Sequence, residues 1–279
     1  MTQHWKRWHS LGLLLLLLVI AASGVLVPLE KTIVAWGINI MALALFGMVA
    51  GDGLTGNFWL GWLINEQNRM SLSRLQMALW TVVVLSAFLT AALVNIKAGY
   101  AGQALSITIP QELWLVMGIS TTSLVASPLI LAKKKERPAS VALINQPEGI
   151  VPPGMGGTDS VAEGVEESTR PHPALAAANV LVEGQLVANI SPRQAGIYDL
   201  VSGEEVGNFN ILDLTRLQNL LFTLIIVGAY AASLGAMLKT AQAPITQFPE
   251  IGAGSLALLA ISHAGYLTGK AIDKEPKRP

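Results

Sequence analysis

Few residues could do chemistry in the apolar part of this chain, and they form one group. His263, beside Ser262, is the only ionisable side chain within the long apolar stretches, and such residues often mark ion or proton pathways. With a hydroxyl-rich run earlier in the chain, they make a candidate intramembrane polar cluster of Ser120, Thr121, Thr122, Ser123, Ser262 and His263. The cluster could line a polar path. For His263 we expect a structural hydrogen bond to another helix instead, because no carboxylate shares its depth.

The sequence offers no residue set for catalysis. It contains no cysteine, which excludes disulfides, thiolate metal sites and cysteine nucleophiles. Asp52, Glu66 and Asp199 are interpreted as isolated acids facing water. The glycines of 154–157 lack the strand before them and the Lys-Ser/Thr after them that a phosphate loop needs. We therefore expect no enzymatic activity, no metal and no cofactor, and the zero formal net charge gives no indication of a nucleic-acid partner.

A tetrapeptide recurs at two predicted helix starts. Ser73-Arg74-Leu75-Gln76 is matched by Thr215-Arg216-Leu217-Gln218. A hydroxyl followed three residues later by Gln is typical of a capping box, so Ser73 and Gln76, like Thr215 and Gln218, are predicted helix caps. A cation is unfavourable at a helix N-terminus. Attraction to lipid headgroups nearly offsets this, so Arg74 and Arg216 are predicted headgroup contacts, with a specific acidic or phosphate partner as the alternative.

The same offset holds well beyond the tetrapeptide. It aligns Thr81 with Thr223, and in the returning helices it aligns Ile119-Ser120 with Ile261-Ser262 without a gap. A register kept through two helices and their connection indicates a duplicated helical hairpin. Both copies should enter the membrane from the same face, as parallel repeats.

Long uncharged stretches must position these residues. Only 13% of the chain is charged, against about 25% in a typical soluble domain. The stretches free of Asp, Glu, Lys and Arg are 11–29, 32–51, 75–96, 113–132, 217–238 and 251–269. Each approaches the ~20 residues that a spanning helix needs. The predicted fold is an all-α membrane protein of about six transmembrane helices paired as hairpins, with a small cytoplasmic α+β insert; an oversized soluble core is the alternative.

Basic residues predict the orientation. If the N-terminus is cytoplasmic, the outer connections hold only Lys31, Lys97 and Lys239 of the 18 basic residues. Lys133-Lys134-Lys135 then lies at a cytoplasmic helix end. Basic residues are enriched at such ends, and lipid headgroups are a second possible contact for this run. Both termini are thus predicted to be cytoplasmic. A cleaved signal peptide remains an alternative for the first helix. Tryptophans near predicted span ends are interpreted as interface aromatics, namely Trp36, Trp59, Trp62, Trp80 and Trp114.

The predicted organisation alternates hairpins with cytoplasmic segments. It comprises an N-terminal hairpin (1–52), a loop (53–72), hairpin repeat 1 (73–132), a disordered linker (133–173), a small insert (174–213), hairpin repeat 2 (214–270) and a tail (271–279). Within the insert, 180–187 is typical of a β-hairpin. Ser191-Pro192 should start a short helix reaching Ser202-Gly203. A piece this small rarely folds alone, so we expect it to dock onto the membrane domain, a second copy or another protein.

The repeated Arg-Leu-Gln starts, together with Gly203-Glu204-Glu205-Val206-Gly207-Asn208, resemble uncharacterised bacterial multi-pass membrane proteins over roughly 70–130 and 200–270. That resemblance implies a bacterial inner membrane and no particular activity. We expect a membrane anchor or assembly subunit embedded in the lipid bilayer, with a protein partner or self-association through residues 174–213. A channel or transporter using the polar cluster is the alternative.

Overall fold

The computed structural model describes residues 4–139 and 180–274, and most of them are helical. The long helices are α1 (Arg7–Leu26), α2 (Thr32–Thr55), α3 (Leu72–Lys97), α4 (Gln111–Lys135), α5 (Leu214–Thr240) and α6 (Ala253–Ala271). Five of them, α1 to α5, are long and apolar enough to cross a membrane. This confirms the expectation of a helical, multi-pass membrane protein. Helix α6 has 19 residues, so its rise of about 28 Å is close to the ~30 Å of hydrocarbon.

Helix α3 lies at the centre of the bundle. It contacts α1, α2, α4 and α5, while α6 packs against α4 and α5. Small residues such as Ala87 and Ala91 are fully buried on α3 and allow this close approach. By contrast, the leucines of α1 point outward, with Leu11 and Leu18 65% and 66% exposed. Outward leucines are expected where the surrounding solvent is lipid.

Hydrogen bonds between polar side chains join the first three helices. Ser23 of α1 donates to Asn39 of α2 (2.9 Å), and Asn39 donates to Thr90 of α3 (2.9 Å). The Trp36 indole N–H donates to Ser86 of α3 (2.9 Å). Trp36 is therefore a buried core residue, as is the fully buried Trp80. The interpretation of these two as interface aromatics is wrong, whereas Trp59 and Trp114 are exposed.

Asn95 joins the connection between α3 and α4 to the connection between α5 and α6, at the end of the bundle away from the insert. Its side chain accepts from Ile245 N (2.7 Å) and donates to Ile245 O (2.9 Å). Nearby, Thr108 forms a single parallel β-bridge with Gln247. The segment after α3 is thus fixed to the segment after α5, and the two hairpins form one body.

The caps of α3 and α5 differ from the prediction. Ser71 caps α3 by accepting from Arg74 N, and Asp213 caps α5 by accepting from the N–H groups of Thr215 and Arg216. Both helices begin earlier than predicted, so Ser73 and Thr215 fall inside the first turn. Gln76 and Gln218 consequently cap nothing: Gln76 bonds across the bundle, as described below, and Gln218 is exposed.

The small insert forms a two-stranded sheet followed by short turns. Strands β1 (Val180–Glu183) and β2 (Leu186–Asn189) pair antiparallel, which confirms the expected hairpin. Ser191 caps the next segment as expected. The continuous helix to Ser202-Gly203 is wrong: two 3₁₀ turns, Pro192–Gln194 and Ile197–Leu200, take its place. The predicted disordered linker lies mainly outside the described residues, but 133–135 belong to α4.

Candidate functional site

The insert meets the helix bundle through a set of buried ion pairs. We call this set the docking cluster. Its cations are Arg69, Lys134, Arg216 and Lys270, and its anions are Asp199, Glu204 and Glu205. Each cation belongs to a helix end or to the loop before α3, and each anion belongs to the insert. Since all seven side chains are at most 10% exposed, the contacts exclude most water.

Asp199 is the most enclosed of the three anions. It accepts from Arg69 Nε (3.0 Å), from Met70 N (3.1 Å) and from Gly196 N (3.0 Å). The Arg69 guanidinium also donates to Ser202 Oγ (2.7 Å). The interpretation of Asp199 as a water-facing acid is wrong, because its side chain is completely buried. Its bonds satisfy backbone N–H groups of both the insert and the loop before α3.

Glu204 lies between two cations from different helices. Arg216 approaches one carboxylate oxygen to 3.0 Å and Lys270 approaches the other to 2.8 Å. Burial by itself raises the pKa of Glu204, but the charges of Arg216 and Lys270 outweigh burial and hold that pKa well below its usual range. The carboxylate therefore stays ionised at neutral pH and joins the start of α5 to the end of α6.

Arg216 is not a headgroup contact. Its guanidinium is buried and, besides its ion pair with Glu204, donates to the carbonyls of Asp199 (2.9 Å) and Leu200 (3.3 Å). The alternative of a specific acidic partner is thus the observed arrangement for Arg216. Its repeat counterpart Arg74 lies in a different setting, on a groove described below.

Glu205 closes the cluster at the ends of α4 and α6. It accepts from Lys134 Nζ (2.7 Å) and from Lys274 N (2.8 Å), and Lys134 also donates to Ile272 O (2.9 Å). Lys134 is only 3% exposed, so of the predicted basic run this lysine serves docking and does not face headgroups. Its neighbour Lys135 pairs at the surface with Glu183 of the sheet (2.8 Å).

Of the three docking sites expected for the insert, the structure shows the first: the insert packs on the helix bundle of its own chain, through the docking cluster. A buried ion pair is costly to break, since removing one partner leaves an uncompensated charge at a cost of ~3–5 kcal/mol. Three such carboxylates hold a piece that is too small for an independent core. The insert is therefore a fixed part of the membrane domain.

The predicted intramembrane cluster divides between the inside and the outside of the bundle. Ser123 and His263 are buried and meet at 2.6 Å between Oγ and Nδ1, which is the expected interhelical hydrogen bond. Ser262 donates to the buried Asn219 of α5 (3.1 Å). Thr121 and Thr122 are exposed, and each hydroxyl bonds a carbonyl of its own helix.

A second buried contact extends this polar region. Gln76 Nε2 donates to Thr223 Oγ1 (2.8 Å), joining α3 to α5. Three buried polar atoms near these bonds have no hydrogen-bond partner among the described residues: Gln76 Oε1, Asn219 Nδ2 and Ser120 Oγ. Such atoms are costly unless water or another group satisfies them. We call Gln76, Ser120, Ser123, Asn219, Thr223, Ser262 and His263 the bundle polar network.

A groove of about 660 Å³ opens on the side of the bundle. Its walls are residues of α2, α3, α4 and the segment 62–71. We call it the Trp62 groove. Its polar lining residues include Trp62, Glu66, Gln67 and Arg74, while the remainder is mostly apolar. Glu66 is exposed at this groove, as predicted for a water-facing acid.

Two glycines of α2 fix one wall of that groove. A Cβ at Gly47 would overlap the Trp62 ring, and a Cβ at Gly51 would overlap the Trp62 backbone nitrogen. The two glycines are one helical turn apart on the same face. They let the 61–62 segment lie directly on α2, which places the Trp62 indole against the groove.

Several of these residues were not singled out from the sequence. Asp52, interpreted as an isolated acid, pairs with the buried His9 (3.1 Å). Glu204 and Glu205 carry much of the docking but were noted only as part of a motif. The sequence did contain a signal for them. Basic helix ends that become buried need acidic partners, and the adjacent pair Glu204-Glu205 in the short insert could supply these. Within residues 4–139 and 180–274, no group of three or more His, Asp or Glu side chains is arranged to hold a metal ion.

Comparison with known proteins returned no relative: no protein-family model, no curated protein and no solved structure matches this chain.

Proposed function

We propose that this protein is a non-enzymatic membrane platform, an anchor or assembly subunit whose docked insert recruits a protein at the membrane surface. One observation carries the proposal: the insert is fixed to four separate sites on the bundle by the buried docking cluster. A rigidly held insert presents one defined surface. Binding a partner there costs less free energy than binding to a mobile loop, because the insert is already ordered.

The outward side of the insert offers an apolar surface for such a partner. A groove of about 450 Å³ runs between the sheet and the segment 209–212. Three of its lining residues are strongly exposed: Tyr198 is 56%, Ile211 is 47% and Leu212 is 53% exposed. Contiguous exposed apolar residues on a water-facing surface are typical of interaction sites, and tyrosine is enriched in them.

Photo-crosslinking in living cells tests recruitment. A photoreactive residue at position 212 should capture a discrete protein, either a second copy of the chain or another protein. The same residue at the exposed position 105, in the connection after α3, serves as a matched control and should not give that product. Adding Tyr198→Asp should abolish the product from position 212 while the protein level stays constant. If position 212 captures nothing, or if its product is unaffected by Tyr198→Asp, the platform proposal fails.

We further propose that both termini and the insert are cytoplasmic, that the membrane is a bacterial inner membrane, and that α6 is a sixth span. The charge distribution supports this, since most basic residues lie at the insert end. Because the chain has no cysteine, single-cysteine variants report sidedness directly. Gly102→Cys should react with an impermeant maleimide on intact cells stripped of any outer membrane, and Arg193→Cys should react only after lysis.

The proposed parallel repeat has support in the helix bounds. The offset that takes Leu72 at the start of α3 to Leu214 at the start of α5 also takes Gln111 at the start of α4 to Ala253 at the start of α6. Equal offsets at both helix starts are the pattern that a duplicated hairpin produces. The two copies differ at their basic residue, since Arg216 is buried in the docking cluster and Arg74 lines the Trp62 groove.

A channel or transporter is the second candidate, and the bundle polar network favours it. The three polar atoms without partners among the described residues would be satisfied by water entering between α3, α4, α5 and α6. Purified protein in liposomes would then conduct ions, and His263→Ala or Ser120→Leu would remove the flux. Thr121→Val is the matched control, because Thr121 faces out of the bundle. Absence of flux across a broad panel of ions and pH values would dismiss this candidate.

A further inference from the structure

The Trp62 groove combines two chemistries in one surface. At its insert end, the lining contains the Arg74 cation, the Glu66 carboxylate, the Trp62 indole and the Gln67 amide. Further along, the lining passes to residues such as Leu43, Phe46, Leu85 and Leu124 of the membrane helices. A charged end and an apolar body are the two parts of a lipid molecule.

Two buried atoms at the polar end lack hydrogen-bond partners among the described residues. They are the Trp62 indole nitrogen, which can only donate, and Gln67 Oε1, which can only accept. Gln67 is only 6% exposed, so bulk water does not readily satisfy its carbonyl. Both atoms are enclosed by the protein although the groove is open, so a molecule in the groove does not reach them. Contacts to a headgroup therefore fall to the Arg74 guanidinium and the Glu66 carboxylate, which also line the polar end.

The dimensions match one leaflet of a bilayer. Arg74 and Leu85 are both on α3, and the helical rise separates them by about 16 Å, close to half of the ~30 Å hydrocarbon thickness. Thr81 and Leu85 are exposed on the outside of the bundle, so the groove is open to lipid along its length. Its volume of about 660 Å³ falls in the range of small-molecule sites.

We propose that the Trp62 groove binds one molecule of phosphatidylethanolamine from the leaflet on the insert side. The phosphate would accept hydrogen bonds from Arg74, as guanidinium and phosphate groups pair well. The primary ammonium, a triple donor, would bond the Glu66 carboxylate. An acyl chain would then lie on the apolar wall toward Leu85. This assignment does not depend on recruitment through the insert.

The mixed charge of the polar end selects this headgroup over others. Phosphatidylglycerol carries the phosphate but no cation for Glu66. Phosphatidylcholine carries a cation that cannot donate a hydrogen bond to Glu66. Phosphatidylethanolamine carries the phosphate together with a cation that donates. The difference in affinity between the ethanolamine and choline lipids therefore reports on Glu66, and the overall affinity reports on Arg74.

Native mass spectrometry of the delipidated full-length protein in detergent tests the assignment. The three phospholipids carry identical acyl chains and are titrated separately. One equivalent of phosphatidylethanolamine should bind at least about tenfold more tightly than the other two. Arg74→Gln should weaken binding of all three about tenfold, the effect of losing one charge-assisted hydrogen bond. The exposed Arg193→Gln is the charge-matched control and should change nothing.

Two further variants separate the headgroup from the tail. Glu66→Gln should remove most of the preference for ethanolamine over choline. Thr81→Phe should fill the groove and reduce binding of every lipid. Val125→Phe, at a position 59% exposed on α4 and outside the groove lining, should not. Melting temperatures of the lipid-free variants check that each one is folded. Equal binding of the three lipids, a preference for phosphatidylglycerol, or indifference to Arg74→Gln would each overturn the assignment.

Discussion

The guanidinium of Arg69 and the carboxylate of Asp199 meet at 3.0 Å although they are 130 positions apart in the chain. Both side chains are almost fully buried, with 3% and 0% exposed. Arg69 ends the loop that leads into α3, and Asp199 lies in the 3₁₀ turn Ile197–Leu200 of the insert. This pair therefore couples the position of the insert to the start of the central helix.

Removing the Arg69 side chain alone should strongly destabilise the folded protein. Arg69→Met leaves the Asp199 carboxylate buried without a counter-charge, so we expect a loss of ~3–5 kcal/mol in the free energy of unfolding. Adding Asp199→Asn should recover a large part of the loss, because the amide is neutral and its oxygen still accepts from the backbone. Denaturant titration of the purified protein in micelles measures both values.

An exposed pair provides the control for that double-mutant cycle. Lys135 and Glu183 also join α4 to the insert, at 2.8 Å, but their side chains are 54% and 31% exposed. Breaking a surface pair costs only ~0–1 kcal/mol. If Lys135→Met destabilised the protein as much as Arg69→Met, burial would not be the source of the docking energy.

The depressed pKa of Glu204 predicts how docking responds to acid. A carboxyl whose pKa is lower in the folded state than in the unfolded state stabilises the fold above its unfolded value of about 4.3, and this contribution is lost as the pH falls toward the folded value. Glu204→Gln should therefore destabilise the protein at pH 7, and its difference from the wild type should stay constant down to about pH 5 and shrink below about pH 4.3.

Unfolding free energies of the wild type and Glu204→Gln across this range provide the measurement. Glu136→Gln is a suitable control at pH 7, because Glu136 is exposed just beyond α4 and surface charges contribute little. A difference between wild type and Glu204→Gln that grew on acidification would contradict the assigned direction of the pKa shift.

The sequence predicted the membrane helices well because hydrophobic length is a local property. Five predicted stretches correspond to helices that can cross a membrane, and the β-hairpin predicted at 180–187 is confirmed by the pairing of β1 with β2. The docking cluster was not predictable in the same way. Lys134 and Glu205 are 71 positions apart, and no local pattern says which basic helix end meets which acid.

The helix caps show a subtler limit. Ser71 and Ser73 are both hydroxyl residues near the start of α3, and only Ser73 has Gln three positions later. The structure uses Ser71, since α3 begins at Leu72. Gln76 is not used for capping and instead faces inward toward Thr223, while Trp80 lies in the core, where it meets Tyr230. Tertiary contacts that no local pattern shows therefore decide what Gln76 does.

The hydrogen bond between Gln76 and Thr223 should contribute modestly to stability. Such bonds within a membrane average ~0.6 kcal/mol and reach about 1.7. Gln76→Leu should therefore destabilise the bundle, and Thr223→Val added to Gln76→Leu should cost less than Thr223→Val alone. Coupling between the two substitutions, measured by unfolding in micelles, should lie within that range. Additive effects would mean that the 2.8 Å contact contributes nothing specific.

Two glycines of α2 should respond in opposite ways to the same substitution. Gly51→Ala places a Cβ into the backbone at Gly61 and Trp62, so the 61–62 segment must move away from α2 and the overpacking should cost ~1–3 kcal/mol. Gly37→Ala meets no atom within 4 Å and should stabilise the helix by up to about 1 kcal/mol. Melting temperatures of the two variants in the same detergent should therefore fall on opposite sides of the wild type. A neutral Gly51→Ala would show that the segment carrying Trp62 is not held against α2, and the wall of the groove would lose its fixed position.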